Sequence, residues 1–155
     1  MRGIKAQWTG RTALLVTAVC CMSTSVAVAQ ARHAALSMGK HRIEVEVAAS
    51  EEDRHLGLMY RSSLPADTGM IFVYPADAQM CMWMRNTLIP LSVAFIDSEG
   101  RILNIEDMTP LTEDSHCSTK PARYALEMNR GWFRERGLKA GVAVEGLKSL
   151  PRGER

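Results

Sequence analysis

The sequence lacks every short motif that would assign it to a familiar class of enzyme. It has no Gly-x-Ser-x-Gly nucleophile elbow, no His-Glu-x-x-His zinc motif, no phosphate-binding loop and no Cys-x-x-Cys pair. His116 and Cys117 are sequence neighbours, so their side chains diverge and do not predict a thiolate–imidazole pair. Internal repeats and low-complexity segments are also absent. The motifs therefore leave no residue to assign as catalytic.

The chain also lacks an excess of charge of either sign. It carries 19 Lys and Arg against 17 Asp and Glu, a formal net charge of +2. Three of the basic residues and none of the acidic ones precede Gln30, which leaves 16 against 17 from Gln30 onward. Nucleic acids and anionic membranes bind proteins through a basic surface. We therefore predict no nucleic-acid partner.

The N-terminus has the three-part pattern of a secretion signal. Three basic residues in the first eleven positions precede a mostly apolar run at 13–22, and Ala27-Val28-Ala29 supplies a small-x-small cleavage pattern. The run is too short to span a bilayer as a helix, which takes about 20 residues. We expect residues 1–29 to be a signal peptide and the mature protein, beginning at Gln30, to be periplasmic or secreted without integral membrane association.

The four cysteines divide into two pairs. Cys20 and Cys21 lie in the leader, where the residues before them are poor matches for lipid attachment, so cleavage after position 29 is the favoured reading. Cys81 and Cys117 lie in the mature chain, and an even number in an oxidising compartment permits one disulfide. Two separate, buried or half-buried thiols are the expected state. A bridge is the alternative, and it requires Cα atoms within about 7 Å.

Alternating apolar and polar side chains predict a domain built from short strands. Residues 41–47 place Ile43, Val45 and Val47 on one face. Further strands are predicted at 70–74, 80–84, 91–96, 101–107, 124–128 and 143–145. The predicted fold class is mainly β, a compact antiparallel sandwich or barrel with one or two short peripheral helices. We expect one domain at 41–147, between a flexible tether at 30–40 and a loose tail at 148–155.

Two short helices are predicted in addition to the strands. Ser50 followed by three acidic residues is typical of a helix start, with a hydroxyl cap and a first turn that suits the helix dipole. This helix is expected to run to about Tyr60 and to bury Leu56, Met59 and Tyr60. A second helix is predicted at 132–136, ended by Gly137.

Several ordered motifs resemble those of a known family. They are RHLGLMYR at 54–61, GMIF at 69–72, WMRNTLIPL at 83–91, FIDSEG at 95–100, PARYALE at 121–127 and Gly131. In this order they resemble domain-of-unknown-function family 192, small bacterial and archaeal proteins that are often exported, over about residues 43–144. The resemblance implies a β-rich single domain without an established activity.

Two departures from the family pattern concern carboxylates. Ser92 stands where the family commonly has an acidic residue after Ile-Pro-Leu, and Gly141-Val142 stands where it commonly has Gly-Asp. If those carboxylates carry chemistry elsewhere in the family, this chain has lost them. The departures therefore count against acid–base or hydrolytic catalysis.

A sulfur-rich strand is the first candidate site. Alternation would place Met80, Met82 and Met84 on one face, with Cys81 and Trp83 on the other. Three thioethers are soft ligands suited to Cu(I). Core packing is the favoured reading, because methionine commonly fills irregular core space and Trp83 would serve as a core anchor. The histidines lie far away in sequence and give no ligand spacing, so no metal or cofactor is predicted.

A polar cluster is the second candidate. Arg54 and Arg61 are seven residues apart, two helical turns, and would project from the same side of the first helix. Arg85 precedes a polar turn and would join them if the helix packs over it. Guanidinium groups bind carboxylate or phosphate bidentately, although internal ion pairs or a hydrogen-bonded clamp on irregular backbone are the favoured explanation for arginines in such positions. The predicted ligand-binding residues are Arg54, Arg61, Trp83, Arg85, Asn86 and Thr87.

These observations predict non-catalytic binding of a small polar or anionic ligand, or of a protein partner. A periplasmic Cu(I)-binding protein is the alternative and would need an open methionine face. A small enzyme is the second alternative. It would need a cleft holding a carboxylate or thiol of perturbed pKa, for which Asp97, Cys117 and Glu127 are the candidates.

Overall fold

The computed structural model describes residues 33–155. The elements in chain order are β1 (His33–Met38), β2 (His41–Ala48), α1 (Glu51–Leu56), β3 (Thr68–Ala78), β4 (Cys81–Met82), β5 (Leu91–Ile96), β6 (Ile102–Met108), β7 (His116–Cys117), β8 (Ala122–Asn129), α2 (Trp132–Glu135) and a 3-10 turn at Leu147–Ser149. The expected mainly β domain with two short helices is confirmed. The predicted signal peptide, residues 1–29, lies outside the described residues.

Six strands form one sheet in the order β1-β2-β3-β8-β5-β6, and β4 pairs with β7 in a separate two-stranded ladder. Neighbouring strands are antiparallel except β2 and β3, which are parallel. Parallel strands need a crossover connection, and here α1 and the turn after it supply one. The expectation of a purely antiparallel arrangement is thus corrected at this pair.

Both faces of the large sheet are buried, as in a sandwich. On β3, Ile71 and Val73 join one apolar cluster, whereas Met70 and Phe72 join the other. The first cluster is completed by β1, α2 and the segment before the 3-10 turn, and the second by the turn after α1 and residues 80–89. All six residues of β5 are buried as a result. The cleft described below opens on the side of the second cluster.

The two ends of the domain are more ordered than the sequence predicts. Part of the predicted tether is β1, which pairs with β2 through a turn at Gly39 and buries Leu36 and Met38. Near the C-terminus, the backbone N–H of Glu154 donates to the carbonyl of Ala49 at 2.8 Å, so the tail packs on the domain. The predicted last strand, 143–145, forms isolated bridges to Ser37 and Arg101 instead of a full strand.

The first helix is shorter than predicted. It ends at Leu56 because Gly57 leaves the helix with φ 48° and ψ −133°. The chain beyond Gly57 no longer follows helical periodicity, which changes the side chains that reach the core. Leu58 is buried, whereas Leu56 and Tyr60 are 53% and 66% exposed. The expected burial of Leu56 and Tyr60 is therefore wrong. No helix within residues 33–155 has the length and apolar character needed to cross a membrane.

Candidate functional site

A cleft of about 250 Å³ lies between α1 with its following turn and the start of the 81–87 segment. Its polar lining includes Glu51, Arg54, His55, Tyr74, Thr87 and Glu127. Phe72, the disulfide cysteine Cys81 and Trp83 contribute much of the apolar lining. The cleft therefore combines soft and aromatic walls with a substantially polar lining.

Glu127 is the most unusual residue of the cleft. It lies on β8, where Leu126 and Met128 point into one core cluster and the intervening side chain points to the opposite face. Burial raises the pKa of the Glu127 carboxyl to about 8, with no compensating hydrogen bond or positive charge from residues 33–155. The carboxyl is therefore mostly protonated at neutral pH. In that form it can donate one hydrogen bond and accept others.

Arg54 clamps backbone carbonyls beside the cleft. Its guanidinium donates to the carbonyl oxygens of Ala49, Val73 and Glu154, the last two at 3.1 and 2.7 Å. The same group lies 5.2 Å from the centre of the Tyr74 ring. One side chain thus joins the start of α1, β3 and the C-terminal tail. This is the backbone clamp that the sequence left open as an alternative to anion binding.

Tyr74 connects this clamp to the sulfur-rich segment. Its hydroxyl donates to the Met82 thioether at 3.7 Å, and burial raises the pKa of the phenol. Tyr74 is the last residue of the strand predicted at 70–74 and was not among the predicted site residues. β3 in fact continues to Ala78, with a register shift against β8 between Val73 and Ala78.

Arg61 lies apart from Arg54. Its guanidinium forms a two-pronged ion pair with Glu46 on β2, one arm at 2.7 Å, and this hydrogen bonding holds the pKa of Glu46 below its usual range. The seven-residue spacing does not correspond to two helical turns because α1 ends at Leu56. The structure therefore does not bring Arg54 and Arg61 together, and Arg61 is absent from the cleft lining.

The remaining predicted residues form a turn at the mouth of the cleft. Trp83 is 43% exposed, so it is not the core anchor considered above, and the Arg85 guanidinium lies 5.8 Å from its ring centre. Asn86 has φ 60°, and its carbonyl accepts the Tyr60 N–H at 2.9 Å. Thr87 is buried in the cleft wall.

Five of the six predicted residues divide between two adjoining cavities, and Arg61 lines neither of them. Arg54, Trp83 and Thr87 line the cleft above Glu127. Trp83, Arg85 and Asn86 line a groove of about 480 Å³ on the outer side of α1, together with the exposed Leu56 and Tyr60. We call these two cavities the cleft and the outer groove.

Two of the three residues named for an enzyme have structural roles. Asp97 accepts hydrogen bonds from the backbone N–H groups of Glu99 and Arg101 in the hairpin turn. Cys117 is joined to Cys81, which replaces the two expected thiols with a disulfide. Only Glu127 meets the condition of a perturbed carboxyl in a cleft. In the sequence, Glu127 is marked by being a charged residue between the apolar Leu126 and Met128 of β8.

In the small β4–β7 ladder, one histidine lies next to the sulfur-rich segment, which the spacing in the sequence did not predict. Met82 lies directly opposite His116, so the two side chains share one face. The His116 Nε2 atom is buried and has no hydrogen-bond partner among the described residues. The strand predicted at 80–84 is limited to Cys81–Met82, but Met80 and Met84 are buried in the second core cluster and the partly buried Met82 packs against it. Within residues 33–155 no three His, Cys, Asp or Glu side chains converge as a metal site.

Ser92, the first departure from the family pattern, lies away from the cleft. Its hydroxyl donates to Asp107 and accepts the Gly131 N–H at 2.8 Å. The hydrogen bond from Ser92, together with Arg134, lowers the pKa of Asp107. These residues border a separate cavity of about 650 Å³ next to α2. Ser92 thus fixes the turn into α2 by joining it to a carboxylate from β6.

The fold and the cleft define a small mainly β domain with a buried acid at a ligand-sized opening. The sequence profile of DUF192, domain-of-unknown-function family 192, described as "Uncharacterized ACR", matches residues 34–146. The chain belongs to this family. No curated protein matches the chain.

Two solved structures are similar to this chain. One is a protein from Sinorhizobium meliloti 1021 named as a candidate transcription regulator, with 35% identity, a TM-score of 0.69, and coverage of 74% of this chain and 92% of that one. The other is a protein of unknown function from Novosphingobium aromaticivorans DSM 12444. It has 31% identity, a TM-score of 0.72, and coverage of 77% of this chain and 89% of that one.

Proposed function

We propose that this protein is an exported, non-catalytic binding protein whose cleft holds a small polar ligand that donates a hydrogen bond to Glu127. The observation that carries the proposal is the position of Glu127, which is only 4% exposed, lines the cleft and makes no side-chain hydrogen bond within residues 33–155. Buried carboxyls are normally paired, because an unpaired polar group loses its water without compensation. A ligand donor would supply the missing hydrogen bond.

The size and charge of the cleft limit the kinds of ligand that it can bind. A volume of about 250 Å³ is slightly below the usual range of about 300–1,000 Å³ for drug-sized ligands. Arg54 directs its donors at protein carbonyls, and Arg61 is paired with Glu46. Neither guanidinium offers a free two-pronged site for an anion. A small ligand with a donor group fits this cleft better than a carboxylate or phosphate.

Two observations support the exported location. The leader has the composition of a secretion signal, and the Cys81–Cys117 disulfide is of the kind that persists in oxidising compartments. A periplasmic or secreted protein would meet small polar molecules directly in that environment.

A role in transcription, present in the name of the Sinorhizobium protein, is not what we propose for this chain. The most basic stretch, residues 130–139, has its arginines engaged with carboxylates. Arg134 contacts Asp107 at 2.8 Å, and Arg136 contacts Asp67 at 2.8 Å. This pairing favours a small ligand over a nucleic acid, which requires free positive charge.

The proposal is tested by NMR screening of small polar fragments against the mature protein. We expect a subset to shift the Trp83 indole and Thr87 amide signals, and Glu127→Gln to weaken those that donate to the carboxyl. Glu44→Gln, an exposed glutamate on β2, is the matched control and should bind as the wild type does. If no fragment perturbs the cleft at millimolar concentration, the proposed function is wrong.

Cu(I) binding is a second candidate, because Met82 faces a histidine whose Nε2 lacks a partner. Thioether and imidazole are both ligands that suit copper. Competition with a Cu(I) chelator tests this candidate, with Met82→Leu and His116→Phe as site variants and Met128→Leu as the control. Tight binding of one equivalent that both site variants lose would favour copper. Absence of competition would eliminate it.

A further inference from the structure

We infer that the ligand of the cleft is a primary amine on a short aliphatic chain, bound as an ammonium ion against the Glu127 carboxylate. This inference rests on the proposed function and names the chemical class of its ligand. It follows from the hydrogen-bonding groups of the cleft, from its walls and from its connection to the outer groove.

No side chain within residues 33–155 donates a hydrogen bond to the Glu127 carboxyl. Arg54 directs its guanidinium to three backbone carbonyls, and the Tyr74 hydroxyl donates to the Met82 sulfur. Glu51, at the rim, adds a second carboxyl. The unmet need at the base is therefore for a donor, and a cation satisfies a carboxylate best. A primary ammonium brings three donors in the smallest volume.

The walls suit the hydrocarbon part of such a ligand. Phe72 is buried and Trp83 is partly exposed, so the apolar lining extends from the inner wall to the solvent. Methylene groups packed between these rings would leave water, which favours binding through the hydrophobic effect.

Trp83, His55, Leu56 and Met59 line both the cleft and the outer groove. The ammonium could therefore belong to a free alkylamine lying wholly in the cleft. It could equally be the end of a lysine side chain whose polypeptide crosses the outer groove. Both sources present the same chemistry to Glu127, and the experiment below separates them.

Binding an ammonium ion must couple to a proton. The neutral carboxyl loses its proton to solvent as the ammonium arrives, so the acid and R–NH3⁺ give the carboxylate–ammonium pair and one H⁺. Because the pKa of Glu127 is about 8 in the free protein, affinity should rise nearly tenfold per pH unit below that value and level off above it. The other titratable groups lining the cleft are Glu51, Arg54, His55 and Tyr74.

The experiment is a calorimetric titration of the mature protein with n-butylamine, butan-1-ol and butyrate at pH 6, 7 and 8, in two buffers of different ionisation enthalpy. We expect n-butylamine to bind at least tenfold more tightly than butan-1-ol at pH 8. Butyrate should not bind. At pH 6 and 7 amine binding should release close to one proton, and its affinity should rise about tenfold between them. Glu127→Gln should remove the amine preference and the proton release, whereas Glu44→Gln should change neither.

Other results would overturn the inference. Equal affinities for the amine and the alcohol, or an affinity that does not change with pH, would disprove the ammonium site while leaving ligand binding intact. Failure of all three probes, together with no response from the NMR fragment screen, would remove the proposed function as well.

The source of the amine is tested with a blocked lysine and a lysine-centred pentapeptide. If the peptide binds more tightly, and Tyr60→Ala in the outer groove removes only that gain, the ligand is a polypeptide lysine. Equal binding of the two, unaffected by Tyr60→Ala, identifies a free amine. Both outcomes support the ammonium site.

Discussion

Cys81 and Cys117 are directly opposite each other in the β4–β7 ladder, and a disulfide joins them across a Cα–Cα distance of 4.0 Å. The bridge fixes the cleft wall to the loop that precedes β8. Sequence alone could not establish it, because the two residues are 36 positions apart and their pairing depends on strand register. The same register places His116 against Met82.

The disulfide should be a large part of the stability of this domain. Replacing both cysteines by serine should lower the free energy of unfolding by about 3–4 kcal/mol, because a loop of this length loses its restraint in the unfolded chain. Urea denaturation of wild type and double variant measures the difference. Adding a reductant should weaken the wild type to the level of the variant and leave the variant unchanged. Equal midpoints without reductant would contradict this prediction.

The strands with clear alternation were predictable from the sequence, and the connections were not. Residues 41–47 alternate and residues 91–96 form a mostly apolar run, and both are strands. The parallel pairing of β2 with β3 depends on packing far along the chain. The end of α1 depends on the backbone angles of Gly57, which a helical periodicity does not reveal.

The sequence predicted the location of the candidate site better than it predicted the chemistry of the site. Trp83 and Thr87 were expected at a binding surface, and both line the cleft. Arg61 was expected there because of a helix that ends before reaching it. Glu127 could be noticed as a charge in an apolar strand, but its raised pKa is a consequence of burial in the folded protein.

Substitution of each of the three predicted arginines should destabilise the protein by an amount that depends on the contacts of that arginine. Arg54→Gln should cost about 2–4 kcal/mol, because three backbone carbonyls lose a charged donor. Arg61→Gln should cost about 1 kcal/mol, since its pair with Glu46 is partly exposed. Arg85→Gln should stay within about 0.5 kcal/mol, because Arg85 and its partner Glu113 are largely exposed. Thermal melting checks the order, and a large loss for Arg85→Gln would contradict it.

If the protein is exported, signal-peptide cleavage should give a mature chain with a defined first residue. Intact mass spectrometry of protein purified from its native host should give the mass of a chain starting at Gln30 with one disulfide. The physical basis is the basic, then apolar, then small-residue order of the leader. A diacylglycerol mass on Cys20 or Cys21 would instead place the protein on a membrane surface and contradict cleavage after Ala29.

Replacing Leu111 by glycine should increase the stability of the folded protein. It has φ 61° and is 63% exposed, so it bears the steric cost of a positive φ with little burial in return. Removing that cost, about 1–2 kcal/mol, outweighs the extra chain entropy of glycine, about 0.5–1 kcal/mol. Leu111→Gly should therefore stabilise the protein by about 0.5–1 kcal/mol in urea denaturation. Leu88→Gly, at an exposed position outside the positive-φ region, is the control and should destabilise it.

Glu127 should make the protein less stable as the pH rises. Its pKa is about 8 in the folded state and about 4.3 in an unfolded chain. Between these values the folded state holds a proton that the unfolded state has lost, so stability falls with increasing pH. Because a tenfold difference in proton affinity is about 1.4 kcal/mol, the accumulated loss should reach several kcal/mol by pH 8.

Urea denaturation of wild type and Glu127→Gln from pH 3 to pH 9 measures this loss. The variant should be nearly flat from pH 5 to pH 8, where the wild type declines. Below about pH 4.5 both proteins should weaken, because the lowered pKa values of Glu46 and Asp107 make their stabilisation disappear as those carboxylates are protonated. Parallel curves for wild type and variant above pH 5 would mean that the Glu127 carboxyl has a partner in solution and ionises normally, which would also remove the main support for ligand binding in the cleft.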